Sequence, residues 1–182
     1  MKKIRLACLL CLLFIAMNSF SQFALRMDFP IGKFSGKDIS ETRYLLSFNF
    51  IENLATQLYI PLGEKEHFVL MTEIGGCVLG TKQANKKERI WGLYNGWYLK
   101  YNILSPEITP YIITGIKLDV LFNSSPRHRI LFPEIVAGIG FSFLRGLLSI
   151  DIRDHYGLIS IYPDMKVYSN TISFGIIGHL RN

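Results

Sequence analysis

The sequence predicts an all-β fold, an eight-stranded antiparallel up-and-down transmembrane β-barrel that follows a cleaved signal peptide. Three observations lead there. Apolar residues recur at every second position in eight successive segments, the signature of strands with two unlike faces. The connections between these segments alternate between longer polar stretches and short turns. Ionised side chains collect on the sparser face. The composition agrees: 49% hydrophobic and 19% charged residues make the 182-residue chain too apolar for disorder and suit one domain. Beyond the first two dozen positions no run of 18 apolar residues exists from which a membrane-spanning helix could be built.

At the start, Lys2, Lys3 and Arg5 precede the apolar run Leu6 to Met17, and Ser19-Phe20-Ser21 places small residues at the positions a signal peptidase reads before Gln22. The expected division is a signal peptide at 1–21 and a barrel domain at 22–182. Cleavage takes three of the 20 basic residues, so the net charge of +6 falls to +3. No basic stripe with interleaved aromatics is left for nucleic acid. Cys8 and Cys11 leave with the signal, and Cys77 alone supports neither an intramolecular disulfide nor a cysteine-based zinc site. Nothing calls for a cofactor.

The strands follow in order. Phe23 to Phe29 opens the domain with Arg26 and Asp28 on its polar side, and Tyr44 to Leu62 forms a second strand interrupted near Glu52 to Ala55, where a bulge is expected. Next, Phe68, Leu70, Thr72, Ile74 and Val78 oppose Glu73, Gly75 and Cys77. Trp91, Leu93, Trp97, Leu99 and Tyr101 oppose Tyr94, Tyr98 and Lys100. Ile112, Ile116 and Leu118 oppose Lys117 and Asp119, and Ile135, Ile139 and Phe141 oppose Glu134, Gly138 and Gly140. Ile150 and Ile152 then alternate with Asp151, Arg153 and His155, and Ile172, Phe174 and Ile176 with Thr171, Ser173 and Gly175. The longer connections are Gly32 to Thr42, Gly80 to Lys87, Ser124 to Arg129 and Pro163 to Asn170. The short ones are Gly63 to Glu66, Ser105 to Thr109 and Arg145-Gly146. Short periplasmic turns, longer outer loops and both termini on the periplasmic side are the arrangement of a bacterial outer-membrane barrel.

Alternation alone does not say which face is inside, because a soluble lipocalin-type barrel has the same period with the apolar face inward. The charges decide. Arg26, Asp28, Glu73, Lys100, Lys117, Asp119, Glu134, Asp151 and Arg153 share the minority face, and a Lys or Arg facing lipid at mid-depth costs about 2–4 kcal/mol. In the narrow lumen of eight strands these residues can pair, so the expectation is a polar plug and no open pore.

The segment Ile150-Asp151-Ile152-Arg153-Asp154-His155-Tyr156-Gly157-Leu158 resembles the penultimate-strand signature of PorT-family outer-membrane β-barrel proteins, with Asp154 where that signature carries Tyr. Ala137 to Phe143 and Thr171 to Leu180 look like the sixth and eighth strands of that family. The resemblance implies an eight-stranded barrel in the outer membrane of a two-membrane bacterium, with a tie to protein secretion in the namesake branch. The chain departs again at its end, where Leu180-Arg181-Asn182 replaces the aromatic residue common in such barrels.

Candidate chemistry is sparse. His155 and Ser160 are five apart, an odd number that puts them on opposite faces of an unbroken strand. His67, His128 and His179 lack the spacing of a local metal motif. Asp151 and Arg153 read as structural partners that help close the barrel. Lys82, Lys86, Lys87 and Arg89 in one outer loop, with Arg127 and Arg129 in the next, form a basic patch able to meet the phosphates of lipopolysaccharide or another envelope protein, although hydrated loops are also routinely charged. The expected role is a non-enzymatic structural or interaction component of the envelope, accessory to secretion. The alternatives are a lipid-modifying outer-membrane enzyme and a soluble ligand carrier.

Overall fold

In a strand that separates two unlike media, side chains must alternate, and Val, Ile, Phe and Tyr tolerate the extended backbone best. The computed structural model follows this rule throughout. It describes residues 22–38, 42–43, 45–46, 53–62, 67–83, 86–103, 108–122, 129–144 and 146–180. The signal peptide expected at 1–21 lies outside them.

Ten elements succeed one another: β1 (Gln22–Gly36), β2 (Thr42–Arg43), β3 (Leu45–Leu46), β4 (Leu54–Leu62), β5 (Phe68–Gln83), β6 (Lys86–Asn102), β7 (Thr109–Leu121), β8 (Leu131–Phe143), β9 (Leu148–Gly157) and β10 (Val167–Leu180). Eight of them, β1 and β4 to β10, form the wall, each antiparallel to its neighbours. The wall closes where β1 runs against β10 from Phe23↔Leu180 to Gly36↔Val167, which removes every free sheet edge along those strands. The fold is a closed eight-stranded antiparallel β-barrel.

β2 and β3 prolong the line of β4. β3 pairs with β1 at Ile31 and Gly32, and β2 pairs with β5 at Lys82 and Gln83. From Leu54, opposite Met27, to Leu46, opposite Ile31, the chain spends eight residues while β1 advances four. The interruption expected near Glu52 to Ala55 falls at this break in register.

The register also sets the barrel's shape. Followed through successive partners from Lys33 to Asn170, Tyr156, Ile135, Ile116, Trp97, Thr72 and Leu58, the path returns to β1 at Phe23, ten residues from its start. For eight strands a stagger of ten corresponds to a tilt of about 40° and a radius of about 8 Å, a lumen that side chains fill.

The faces divide as the charges predict. Ile116 and Ile139 are 55% and 59% exposed on the exterior, whereas Lys117 and Arg153 are 6% and 1% exposed within.

Several expected boundaries need correction. β1 continues to Gly36 instead of ending near Phe29, β5 runs to Gln83 and β6 begins at Lys86. The connection expected at Gly80 to Lys87 is therefore a tight end of a long hairpin, and Lys82, Lys86, Lys87 and Arg89 lie on strands, not in a loop. Apolar alternation stops where the surroundings cease to demand an apolar face, but backbone pairing needs no apolar side chain and goes on. The last long connection sits earlier than expected, between Gly157 and Val167, because Val167 to Asn170 are already paired, Val167 to β1 and Asn170 to both β1 and β9.

Candidate functional site

Among the described residues, ionised groups are concentrated away from solvent in the lumen, and every wall strand sends a side chain there. Arg26 of β1 grips Asp28 with two donors, Nε at 2.8 Å and Nη2 at 2.6 Å, and places Nη1 2.5 Å from Asp151 Oδ1 on β9. Arg153 continues the chain. Its Nε and Nη2 lie 3.1 Å from Asp151 Oδ2, and its Nη1 donates to Glu73 Oε2 on β5 at 3.0 Å. Acid and base thus alternate through Asp28, Arg26, Asp151, Arg153 and Glu73. Neutral donors complete the acceptors: Tyr94 Oη reaches Glu73 Oε1 at 2.5 Å, Tyr111 Oη reaches Asp151 Oδ2 at 3.2 Å, and Gln57 Nε2 donates to Glu73 while accepting from Tyr59 Oη.

A second group lies beside the first. Lys117 Nζ is 2.7 Å from Glu134 Oε2 and 3.2 Å from Asp119 Oδ1. His155 on β9 shares a hydrogen bond of 3.0 Å between Nε2 and Ser173 Oγ of β10, and Ser173 also lies 3.5 Å from Arg26 Nη2, so it joins the two groups. Burying isolated ions would cost several kcal/mol each, and in these two groups every ionised side chain has an opposite charge within 4 Å. Eight of the nine residues expected on the polar face are brought together in this way. Lys100 stands apart, its ammonium 3.8 Å from the Tyr111 ring centre and 5.5 Å from that of Tyr59, a cation–π site.

Glycines make room for the network. A methyl group at Gly175 would lie 2.3 Å from the Arg26 guanidinium, and one at Gly140 would lie 2.4 Å from the Tyr111 ring. The broad side chains lie flat over bare backbone on the opposing strands, because so narrow a cylinder has no other space for them.

One end of the lumen is apolar, which the charge pattern did not foretell. Phe34, Leu79, Ile90, Leu121, Phe132 and Val167 cluster where the longer connections arise, and Ile161 and Tyr162 fold into the same cluster from the β9–β10 connection. Backbone bonds hold that connection in place, Ile161 N to Val167 O and Arg129 N to Ile161 O, both 2.8 Å. At the opposite end Ser142, Ser149 and His179 form a short hydrogen-bonded chain.

Sequence reasoning missed several members of the network. Gln57 and Tyr59 were hidden in the interrupted second strand. Ser173 was on the correct face, but its partner follows only from the β9–β10 register. His155 has nothing to do with Ser160, whose hydroxyl donates to the Met165 carbonyl in the connection. Of the residues expected in the basic patch, Arg89 lies on β6 and Arg129 donates to the Ser160 carbonyl at 3.0 Å; Arg127 lies outside the described residues, as does His128, and so do the side chains of Lys82, Lys86 and Lys87.

Chemically, Ser173, His155 and Glu134 echo the order of a nucleophile, a base and an acid. The last link is 3.7 Å, beyond hydrogen-bond range. The adjoining cavity, lined by Asp28, Lys117, His155, Thr171 and Ser173 among others, measures about 30 Å³, room for one water and not for an acyl chain. The arrangement can hold strands in register. Among the described residues no group of His, Cys, Asp and Glu is placed to hold a metal.

No protein-family model matches the chain, and no curated protein matches it in sequence. Solved structures do. Neisserial surface protein A is 14% identical with a TM-score of 0.55, over 87% of this chain and 97% of that one. The outer membrane enzyme PagL is 14% identical with a TM-score of 0.47, over 82% and 97%. The N-terminal β-barrel domain of Pseudomonas aeruginosa OprF is 12% identical with a TM-score of 0.43, over 86% and 98%. At these identities the likeness speaks for fold, and of the three only the first is near enough to carry it: the chain has the architecture of the eight-stranded outer-membrane β-barrels.

Proposed function

We propose that this protein is a non-catalytic component of a bacterial outer membrane, exported by a signal peptide cleaved before Gln22, that works as a structural or interaction element and serves protein secretion in the manner of the PorT family. One observation carries the reading, a barrel with an apolar exterior whose lumen is closed by paired charges and by the apolar cluster around Phe34 and Phe132. Its described lumen is filled with side chains, so we place its work on its outer surfaces. A soluble carrier would need these faces exchanged.

The β5–β6 hairpin is the surface suited to lipopolysaccharide. Its register sets Lys82 opposite Lys87 and, across β5, opposite Arg43 of β2. Three basic residues at facing register positions suit an anionic group such as a phosphate.

The test is a deletion strain complemented with the full chain. Expected are recovery of the protein in the outer-membrane fraction, a mobility difference between boiled and unboiled samples in SDS, an amino terminus at Gln22, and an unchanged lipid A mass spectrum beside an altered set of secreted proteins. A soluble protein, or a lipid A mass shift restored by the wild-type chain and not by Ser173→Ala, would overturn the reading.

A further inference from the structure

The exterior of β9 breaks its own rule at one position. Ile152 and Tyr156 face outward at 51% and 49% exposure, and between them, on the same face, stands Asp154, also exposed. Its register partners are Ala137 on β8 and Ile172 on β10. Among the described residues no hydrogen bond or ion pair reaches its carboxylate, and it is the one charged residue whose strand neighbours and register partners on the exterior face are all apolar or aromatic.

Depth makes the position costly in lipid. Asp154 is two residues below Tyr156, which is paired with Asn170. At the rise of a strand tilted by about 40°, that places it roughly 5 Å further into the apolar belt. An aspartate has one methylene and cannot extend to the interface as a lysine does. Intramembrane carboxylates are accordingly found facing protein or water, paired with a cation.

The surroundings show what would cover it. Ala137 is the small residue of its row, so a notch lies beside the carboxylate, bordered by Ile135, Ile139 and Ile172. A second copy of the chain brings no counter-charge, because the described exterior residues at this level include no Lys or Arg.

We infer that the β8–β10 face around Asp154 is a docking surface within the membrane for a different protein, whose lipid-facing side inserts a Lys or Arg into the notch beside Ala137. The inference rests on the membrane placement proposed above. Asp154 supplies the charge, Ala137 the space, and the flanking isoleucines the apolar rim.

The test is blue-native electrophoresis of outer membranes from cells carrying the tagged full chain as wild type, Asp154→Leu, Asp154→Glu or Ala137→Phe, beside the purified refolded barrel. The wild type and Asp154→Glu are expected to migrate above the purified barrel. Asp154→Leu and Ala137→Phe should lose at least tenfold of that larger species. In vesicles, the purified Asp154→Leu barrel should resist urea at least as well as the wild type, since it exchanges an unpaired charge for an apolar side chain. Equal migration of wild type and Asp154→Leu would overturn the inference, and so would earlier unfolding of isolated Asp154→Leu. A larger species made only of two differently tagged copies would overturn it as well. Absence of every variant from the outer-membrane fraction would instead remove the membrane reading itself.

Discussion

Arg153→Met is the substitution that most directly interrogates the lumen. Methionine keeps much of the arginine stem and removes the charge. Arg153 now holds Glu73 at 3.0 Å and Asp151 at 3.1 Å. After the change Asp151 keeps Arg26 at 2.5 Å and the Tyr111 hydroxyl at 3.2 Å. Glu73 keeps Gln57 and Tyr94 and loses its only directly bonded cation. The damage therefore falls on a single carboxylate that is 1% exposed. Removing one partner of a buried ion pair costs about 3–5 kcal/mol. Because Asp151 stays paired, the expected loss is at the lower end, about 3 kcal/mol. Neutralising the orphan should restore most of it, so Glu73→Gln added to Arg153→Met should show a favourable coupling of about 2 kcal/mol in a double-mutant cycle. Urea titration of the barrel in vesicles, followed by the emission of Trp91 and Trp97, the chain's two tryptophans, measures all four corners. A loss below about 1 kcal/mol, or strictly additive single changes, would refute the view that Glu73 and Arg153 depend on each other.

Other consequences can be measured with the same preparation. Gly175→Ala should destabilise by about 1–3 kcal/mol by pushing the Arg26 guanidinium off the wall, whereas Gly178→Ala, with nothing within 4 Å of the added methyl, should leave the urea midpoint nearly unchanged. Cys77 is buried in the lumen, so a bulky maleimide should label it slowly in the folded barrel and at once in urea; equal rates would mean the lumen is open. Planar bilayers should show no stable conductance steps from the wild type, and a steady channel would contradict the sealed lumen. Lys82→Glu together with Lys87→Glu should abolish any lipopolysaccharide that stays with the purified protein in mild detergent, with no change in heat modifiability. Full retention would show that the hairpin does not meet phosphate.

How far the sequence reached can be judged strand by strand. Ile112, Ile116, Ile135, Ile139 and Phe141 face outward and Lys117, Glu134 and Ser142 inward, as their polarity foretold, because alternation is a local property imposed by two unlike media on a backbone of period two; Ile113 and Val136 are apolar residues that the same period turns inward. Strand ends were less legible. Lys82, Lys86 and Lys87 read as loop because they are polar, yet they extend a hairpin into a region where polarity carries no penalty for a strand. His155 shows the other limit: its nearest hydroxyl in sequence, Ser160, is bound elsewhere, and the one it meets, Ser173, lies 18 residues away.

By itself, then, the sequence determined the number of wall strands, which residues face in and which face out, and that a lumen rich in opposite charges would be filled. Each follows from contrasts between adjacent side chains. Only the tertiary structure decided that the path around the wall returns ten residues displaced, that Asp28, Arg26, Asp151, Arg153 and Glu73 form one alternating series, that Ile161 and Tyr162 close one end, and that Asp154 stands alone on the outer wall. These depend on register between strands distant in the chain. A shift of two residues keeps every side chain on its face while changing every partner.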